Sequence, residues 1–191
     1  MEIDQLIVQL GTLDEWLDEN IAVFASQDQI AQEKALLAGI KIAKELDRLK
    51  AEGITALAAL LNRRDPVANE ERASSLIQGF EFGAKLADAL HDGLSDTDGE
   101  TKVAHMMDSI VKALDEVAPG RIALAVLLDH ADAGVRASAG AFLIDLMPQR
   151  VIPILREIDK PEDGSSGSFK AHWTLLAWER EGQSRFQSLN K

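Results

Sequence analysis

The chain of 191 residues contains no cysteine and no tyrosine, and aromatic residues make up only 5% of it. Without cysteine, the chain excludes disulfides, thiolate zinc sites, iron–sulfur clusters and cysteine nucleophiles. Proline is rare, with five residues, and the hydrophobic fraction of 46% is dominated by leucine and alanine. Leu and Ala are among the residues that lose least on becoming helical, so the composition predicts an all-α fold.

Long hydrophobic runs are also missing. No apolar stretch approaches the ~20 residues that span a bilayer. The first residues, MEIDQLIVQLGTLDEW, have acids where a secretory signal has bases, and they lack a continuous apolar core. We therefore expect a soluble, cytoplasmic protein that does not associate with a membrane.

Basic residues are absent from two segments, and these segments account for the net charge of −12. Residues 1–33 hold eight acids and residues 86–100 hold five, whereas the other 19 acids nearly balance all 20 bases. Such acidic surfaces repel nucleic acids and attract basic partners, or they serve solubility alone. The acids that we predict to bind a protein partner are Asp14, Glu15, Asp18, Glu19, Asp92, Asp96, Asp98 and Glu100.

Apolar residues recur at helical spacing along the whole chain, and nothing alternates long enough to indicate a strand. The spacing predicts a helix over about 27–52, with Leu36, Ile40, Ala43 and Leu46 facing inward. Gly53 would end this helix as a C-cap, and a short helix would follow over 54–61.

Two later helices have longer apolar stripes. Their predicted inward residues are Leu76, Phe80, Gly83, Ala87 and Leu90 in one, and Val103, Met107, Ile110, Leu114 and Val117 in the other. Between them, residues 92–100 are predicted as an acidic linker or long exposed turn that joins an N-terminal half, 1–91, to a C-terminal half, 101–191. We expect the two halves to form one continuous domain of about eight to nine helices.

The C-terminal half contains a segment, 122–146, that is partly repeated 67 residues upstream. TALAALLNRRDP at 55–66 and IALAVLLDHADA at 122–133 are identical at six of twelve positions. Self-similarity at a fixed offset is typical of stacked helical units. Phe142 and Leu146 are predicted on the inner face of the second helix of this segment, and a further helix is predicted over 151–158, with Pro153 in its first turn.

This segment resembles the HEAT repeat, whose two antiparallel helices are joined by a turn. The matching residues are Leu127, Leu128, Asp132, Val135, Arg136, Ala139 and Leu143. The resemblance implies a HEAT/armadillo-like stack of helix pairs, in which Asp132 caps the second helix and Arg136 pairs with a neighbouring turn. Both would be structural residues of the repeat turn.

The C-terminal third, about 121–182, also resembles small bacterial HEAT-like domains of unknown function. The similarity continues through Ala171, Thr174, Leu175 and Trp178 in the last predicted helix. Some such proteins are encoded beside toxins and act as immunity partners. The resemblance therefore implies an immunity protein, an antitoxin, as one specific function.

Motifs for catalysis or cofactor binding are not recognisable. The four histidines, His91, His105, His130 and His172, have no metal-ligand spacing, and there is no phosphate-binding glycine loop or nucleophile elbow. We predict no catalytic residue, no metal and no cofactor. Trp173 falls off the apolar face of the last helix, so it either packs against the preceding unit or lies at an interface.

The sequence is compatible with three functions. The chain could be a protein-binding immunity protein whose acidic surface docks on a basic toxin, which is the interpretation that we favour. A general adaptor or assembly chaperone would have the same surface. An enzyme on a HEAT-like scaffold, such as a glycosylase or lyase, would need a pocket with convergent polar groups. Oligomeric state is not indicated, although the N-terminal helix could pair with a second copy.

Overall fold

A computed structural model describes residues 8, 16, 20, 23, 29–61, 69–93, 96–160, 162 and 164–182. Every regular element among these residues is helical, which confirms the all-α prediction. None of the helices described combines the length and the apolar character needed to cross a membrane.

The elements follow one another with short connections. The α-helices are α1 (Gln29–Leu61), α2 (Asn69–Asp88), α3 (Thr97–Asp115), α4 (Ala133–Leu143), α5 (Pro148–Ile158) and α6 (Ser166–Ala177). A π-helical turn, Ala89–Gly93, extends α2, and another, Trp178–Gly182, extends α6. A 3₁₀ helix, Gly120–Asp129, lies between α3 and α4.

Helix α1 is longer than the predicted helix over 27–52, because it continues through Gly53. The prediction that Gly53 ends a helix is therefore wrong. Leu49 and Leu57, one turn before and one turn after the glycine, are both buried in the core. Burial of this continuous stripe outweighs the ~1 kcal/mol that an internal glycine costs a helix.

Leu36 and Ile40 of α1 do not face inward as predicted; they are 54% and 42% exposed. Ala43 is exposed as well, whereas Leu46 is buried as predicted. The stripe of α1 that reaches the core runs through Ala35, Ile42 and Leu46. Its positions are spaced by seven and four residues, so Leu36 and Ile40 lie off this face.

Helices α2 and α3 form the centre of the core, as the two apolar stripes predicted. Phe80, Leu90, Val103, Ile110 and Leu114 are completely buried. The helices cross closely at one point, where a Cβ on Gly83 would lie 3.0 Å from Met107 Cγ. The extensive packing of α2 on α3 joins the two halves of the chain across residues 92–100. Of this segment, Thr97 to Glu100 already belong to α3, so the connection is shorter than the predicted linker.

The repeat-like segment consists of the 3₁₀ helix, a turn and α4. Val135, Ala139 and Leu143 are buried, but Leu146 is 54% exposed, contrary to its predicted inward position. The reason is that α4 ends at Leu143, so helical spacing no longer applies three residues later. Ile144 takes the buried position instead.

The fifth helix begins earlier than predicted. Pro148 occupies its first turn, so Pro153 lies inside α5 rather than in its first turn. A proline in the interior removes one hydrogen bond to the carbonyl four residues earlier, here that of Gln149. Both residues are exposed, so water can satisfy that carbonyl.

Candidate binding groove

Most acids of the 86–100 segment form hydrogen bonds or ion pairs within the chain, and Asp88 is the clearest case. Its Oδ1 accepts hydrogen bonds from the Ser166 hydroxyl at 2.8 Å and from Lys170 Nζ at 2.5 Å. Its carboxylate lies so close to Gly134 that a Cβ there would be 1.7 Å from Asp88 Oδ2. We use the term helix junction for the place where Asp88 contacts the first turn of α4 and the first turn of α6.

Asp92 belongs to the same junction. Its Oδ1 accepts a hydrogen bond from the backbone N–H of Ser166 at 2.9 Å, so it satisfies a free donor in the first turn of α6. Burial raises the pKa of Asp92, the bond from Ser166 opposes this, and the charge of Asp88 raises the pKa further. The predicted partner-binding acid is thus partly engaged within the chain.

Asp96 is the N-cap residue of α3. Its side chain accepts from the Gly99 backbone N–H at 3.0 Å and from Lys50 Nζ at 2.6 Å. The hydrogen bond from Lys50 is the main reason why the pKa of Asp96 is lowered, and the bond from Gly99 adds to it. Asp96 therefore caps α3 and also links α3 to α1.

The other two predicted acids of this segment differ from each other. Glu100 Oε2 lies 3.1 Å from His91 Nδ1, and its side chain is partly buried. Asp98 is exposed in the first turn of α3, where a negative charge is favourable. Asp14, Glu15, Asp18 and Glu19 lie outside the described residues.

A groove of about 310 Å³ opens between α3 and α6. One wall is α3, where Glu100, Ala104 and Asp108 follow one another at four-residue intervals. The opposite wall is α6, which presents Phe169 and Trp173, also four residues apart. Two predicted partner-binding residues, Glu100 and Trp173, therefore line the same groove.

The floor of the groove is part of the hydrophobic core. Phe142 of α4 lines it and packs edge-on against the fully buried Phe80, with ring centroids 5.5 Å apart. Met107, which contacts Gly83 at the α2–α3 crossing, lines it as well. Because the floor is held by core contacts, we expect the shape of the groove to be largely preformed.

The aromatic wall is exposed although it is large and apolar. Trp173 is 51% exposed and Phe169 is 54% exposed. Their rings pack edge to face with centroids 5.9 Å apart, and the His91 ring stacks on the Phe169 ring with centroids 5.8 Å apart. Of the two alternatives for Trp173, packing within the fold and exposure at the surface, the structure has the second.

The acidic wall includes a carboxylate that sequence reasoning did not identify. Asp108 is exposed on α3 and has no hydrogen bond or ion pair within the described part of the chain. Lys170 lines the opposite wall, but Asp88 binds its ammonium group. Asp108 and Phe169 could have been found from the four-residue spacings Glu100–Ala104–Asp108 and Phe169–Trp173, which place each set on one helix face.

The turn of the repeat-like segment is held by its own residues. Asp132 is the N-cap of α4 and accepts from the Val135 backbone N–H at 3.0 Å. Arg136 Nη1 donates to the carbonyls of His130 and Ala131, at 2.8 and 2.9 Å. Its Nη2 lies 3.8 Å from Glu157 of α5, so the arginine also reaches the next helix.

The remaining chemistry of the described residues is sparse. They contain no group of three or more His, Asp or Glu side chains placed to hold a metal ion. Two further histidines pair with acids, His130 with Glu81 and His172 with Asp159, each at 3.3 Å. These pairs join neighbouring helices and lie outside the groove lining.

Comparisons with family models, with curated proteins and with solved structures found no match to this chain.

Proposed function

We propose that this chain is a protein-binding protein that recognises its partner through the groove between α3 and α6. The supporting observation is the exposed pair Phe169 and Trp173 beside a preformed apolar floor. Interface anchors are typically aromatic residues surrounded by a polar rim, and Glu100 and Asp108 supply such a rim here. The net charge of −12 favours a partner with a basic surface.

The scaffold that we propose is a HEAT-like stack of about eight to nine helices. The Asp132 cap and the hydrogen bonds from Arg136 to its own turn support this proposal for residues 120–143. In such stacks each unit packs on its neighbours and offers a continuous surface to partners.

The specific role that we propose is that of a bacterial immunity protein that neutralises a basic toxin by docking on it. An acidic surface that covers a basic cleft would associate quickly through electrostatic steering. The experiment is co-expression with the product of the adjacent reading frame. The proposal predicts that cells expressing that product alone stop growing and that this chain restores growth.

Salt dependence tests the electrostatic part separately. Association of the purified pair should slow as the salt concentration rises. Reversing the charges of Asp14, Glu15, Asp18 and Glu19 should slow it further. An association rate that neither salt nor these substitutions change would contradict steering by the acidic segments, and restored growth without a complex would contradict direct neutralisation.

A further inference from the structure

The groove combines two recognition chemistries on opposite walls. On α6 it is lined by the aromatic residues Phe169 and Trp173, and on α3 by the acidic residues Glu100 and Asp108. At about 310 Å³ it lies at the lower end of the ~300–1,000 Å³ that small-molecule sites occupy. This volume suits one or two side chains of a partner rather than a whole helix face.

The residues that line the groove leave one carboxylate without an ion pair. Asp108 has no hydrogen bond or ion pair in the described part of the chain. Lys170, the basic residue of the lining, is bound to Asp88 through its ammonium group. Glu100 contacts His91 through Oε2 only. A ligand that entered without a positive charge would leave Asp108 without compensation when water is displaced.

Arginine is the side chain whose chemistry complements both the aromatic wall and the acidic wall of the groove. Its planar guanidinium stacks on aromatic rings, and tryptophan is the best of these for a cation. Its five donors fit carboxylate oxygens, including two at once, and its aliphatic stem can lie along apolar surface. Lysine offers a point charge that is more strongly hydrated and does not stack.

We infer that the groove is an arginine subsite, in which a basic protein partner places an arginine side chain between Trp173 and Asp108. This inference rests on the proposed protein-binding function and adds the identity of the anchor. The stem would lie over the apolar floor near Phe142, and the guanidinium would lie against the Trp173 ring and donate to Asp108.

The test uses four pools of acetylated and amidated hexapeptides, randomised except for one central residue fixed as Arg, Lys, Leu or Glu. Binding to the full chain is measured by fluorescence anisotropy at low salt. The arginine pool should bind about tenfold more tightly than each of the other pools. Trp173→Ala and Asp108→Asn should each weaken binding of the arginine pool by about tenfold.

Glu116→Gln is the matched control, because Glu116 is an exposed acid at the C-cap of the same helix, does not line the groove and is not among the predicted partner-binding acids. It should leave binding unchanged. Equal binding of the arginine and leucine pools, or of the arginine and lysine pools, would overturn the inference. So would an absence of binding, or an equal loss in Glu116→Gln and Asp108→Asn.

The two proposals can fail independently. If the chain protects cells and Trp173→Ala protects them equally well, the protein-binding function stands and the arginine subsite fails. If the arginine pool binds through Trp173 but the adjacent gene product forms no complex, the subsite stands and the immunity role fails.

Discussion

The carboxylate of Asp88 covers the Cα of Gly134, and no side chain fits between them. A Cβ on Gly134 would lie 1.7 Å from Asp88 Oδ2 and 2.7 Å from its Cγ. Asp88 cannot swing away without losing Ser166 and Lys170. We therefore predict that Gly134→Ala lowers the free energy of unfolding by roughly 2–3 kcal/mol, measured by urea denaturation.

Gly140→Ala in the same helix is the control for this prediction. A Cβ there would lie 2.9 Å from Leu155 Cδ2 and 3.3 Å from Val151 Cγ1, so it would crowd core methyl groups but break no hydrogen bond. Replacing a glycine inside a helix also gains up to ~1 kcal/mol of helix propensity. We expect a clearly smaller loss than in Gly134→Ala. Equal stability of Gly134→Ala and the wild type would show that Asp88 does not hold the junction.

The Lys50–Asp96 ion pair should make stability depend on pH in the acid range. The pKa of Asp96 is lowered in the folded state, mainly by the hydrogen bond from Lys50. Its stabilising contribution is thus present above the unfolded pKa of about 3.9 and is lost as the pH falls through the folded pKa. Asp96→Asn should cost about 0.5–1 kcal/mol at neutral pH and nothing in strong acid.

Comparison of Asp96→Ala with Asp96→Asn separates the contribution of the N-cap hydrogen bond from that of the ion pair with Lys50. Asparagine can still accept from the Gly99 N–H, whereas alanine cannot, so Asp96→Ala should cost about 1 kcal/mol more at every pH. Asp98→Asn is expected to leave stability nearly unchanged. If Asp96→Asn were as stable as the wild type at neutral pH, the ion pair would have no role in joining α1 to α3.

Asp92 should affect the pH dependence of stability in the opposite direction to Asp96, because burial raises the pKa of its carboxyl group. A raised folded pKa means that its stabilising effect is complete below the unfolded pKa and is lost as the pH rises through the folded value. Asp92→Asn keeps an acceptor for Ser166 and removes the charge near Asp88. We predict a gain of less than about 1 kcal/mol at neutral pH and none in strong acid, by urea denaturation.

Asp92→Ala is the informative comparison, since it removes the acceptor as well as the charge. The Ser166 N–H would lose its partner, so this variant should be destabilised by about 1 kcal/mol relative to Asp92→Asn. A loss of stability in Asp92→Asn would mean that its negative charge at the start of α6 outweighs burial and the repulsion from Asp88.

Local spacing predicted much of this structure. The stripe from Val103 to Val117 and the cap three residues before Val135 both depend on contacts within a few residues. The pairing of Asp88 and Asp92 with Ser166 joins positions 74 to 78 residues apart, and no local pattern indicates it. Asp92, which sequence alone assigned to a partner surface, therefore accepts a backbone N–H in the first turn of a distant helix.

Local sequence preference could not predict that α1 continues through Gly53, because contacts with the core decide it. Glycine is a good helix terminator by local preference, but the core contacts of Leu49 and Leu57 on either side override it. Exposure of Trp173 was only half predictable, since its position off the apolar face allowed either packing or an interface. The four-residue spacing to Phe169 was the additional signal.

Trp173 should matter for binding and little for folding. Because half of its side chain is exposed, Trp173→Ala should lower the free energy of unfolding by less than about 1 kcal/mol. The fully buried Phe80 provides the contrast, and Phe80→Ala should cost about 3–5 kcal/mol. A loss in Trp173→Ala as large as in Phe80→Ala would show that Trp173 is a core residue.

The most direct test of groove recognition is the NMR spectrum of the indole N–H groups of Trp16, Trp173 and Trp178 during titration with the adjacent gene product. Substitution of each tryptophan by phenylalanine assigns the three signals. If the partner enters the groove, the Trp173 signal shifts most and saturates at one equivalent of partner. A complex that forms while the Trp173 signal stays in place would contradict recognition through the groove.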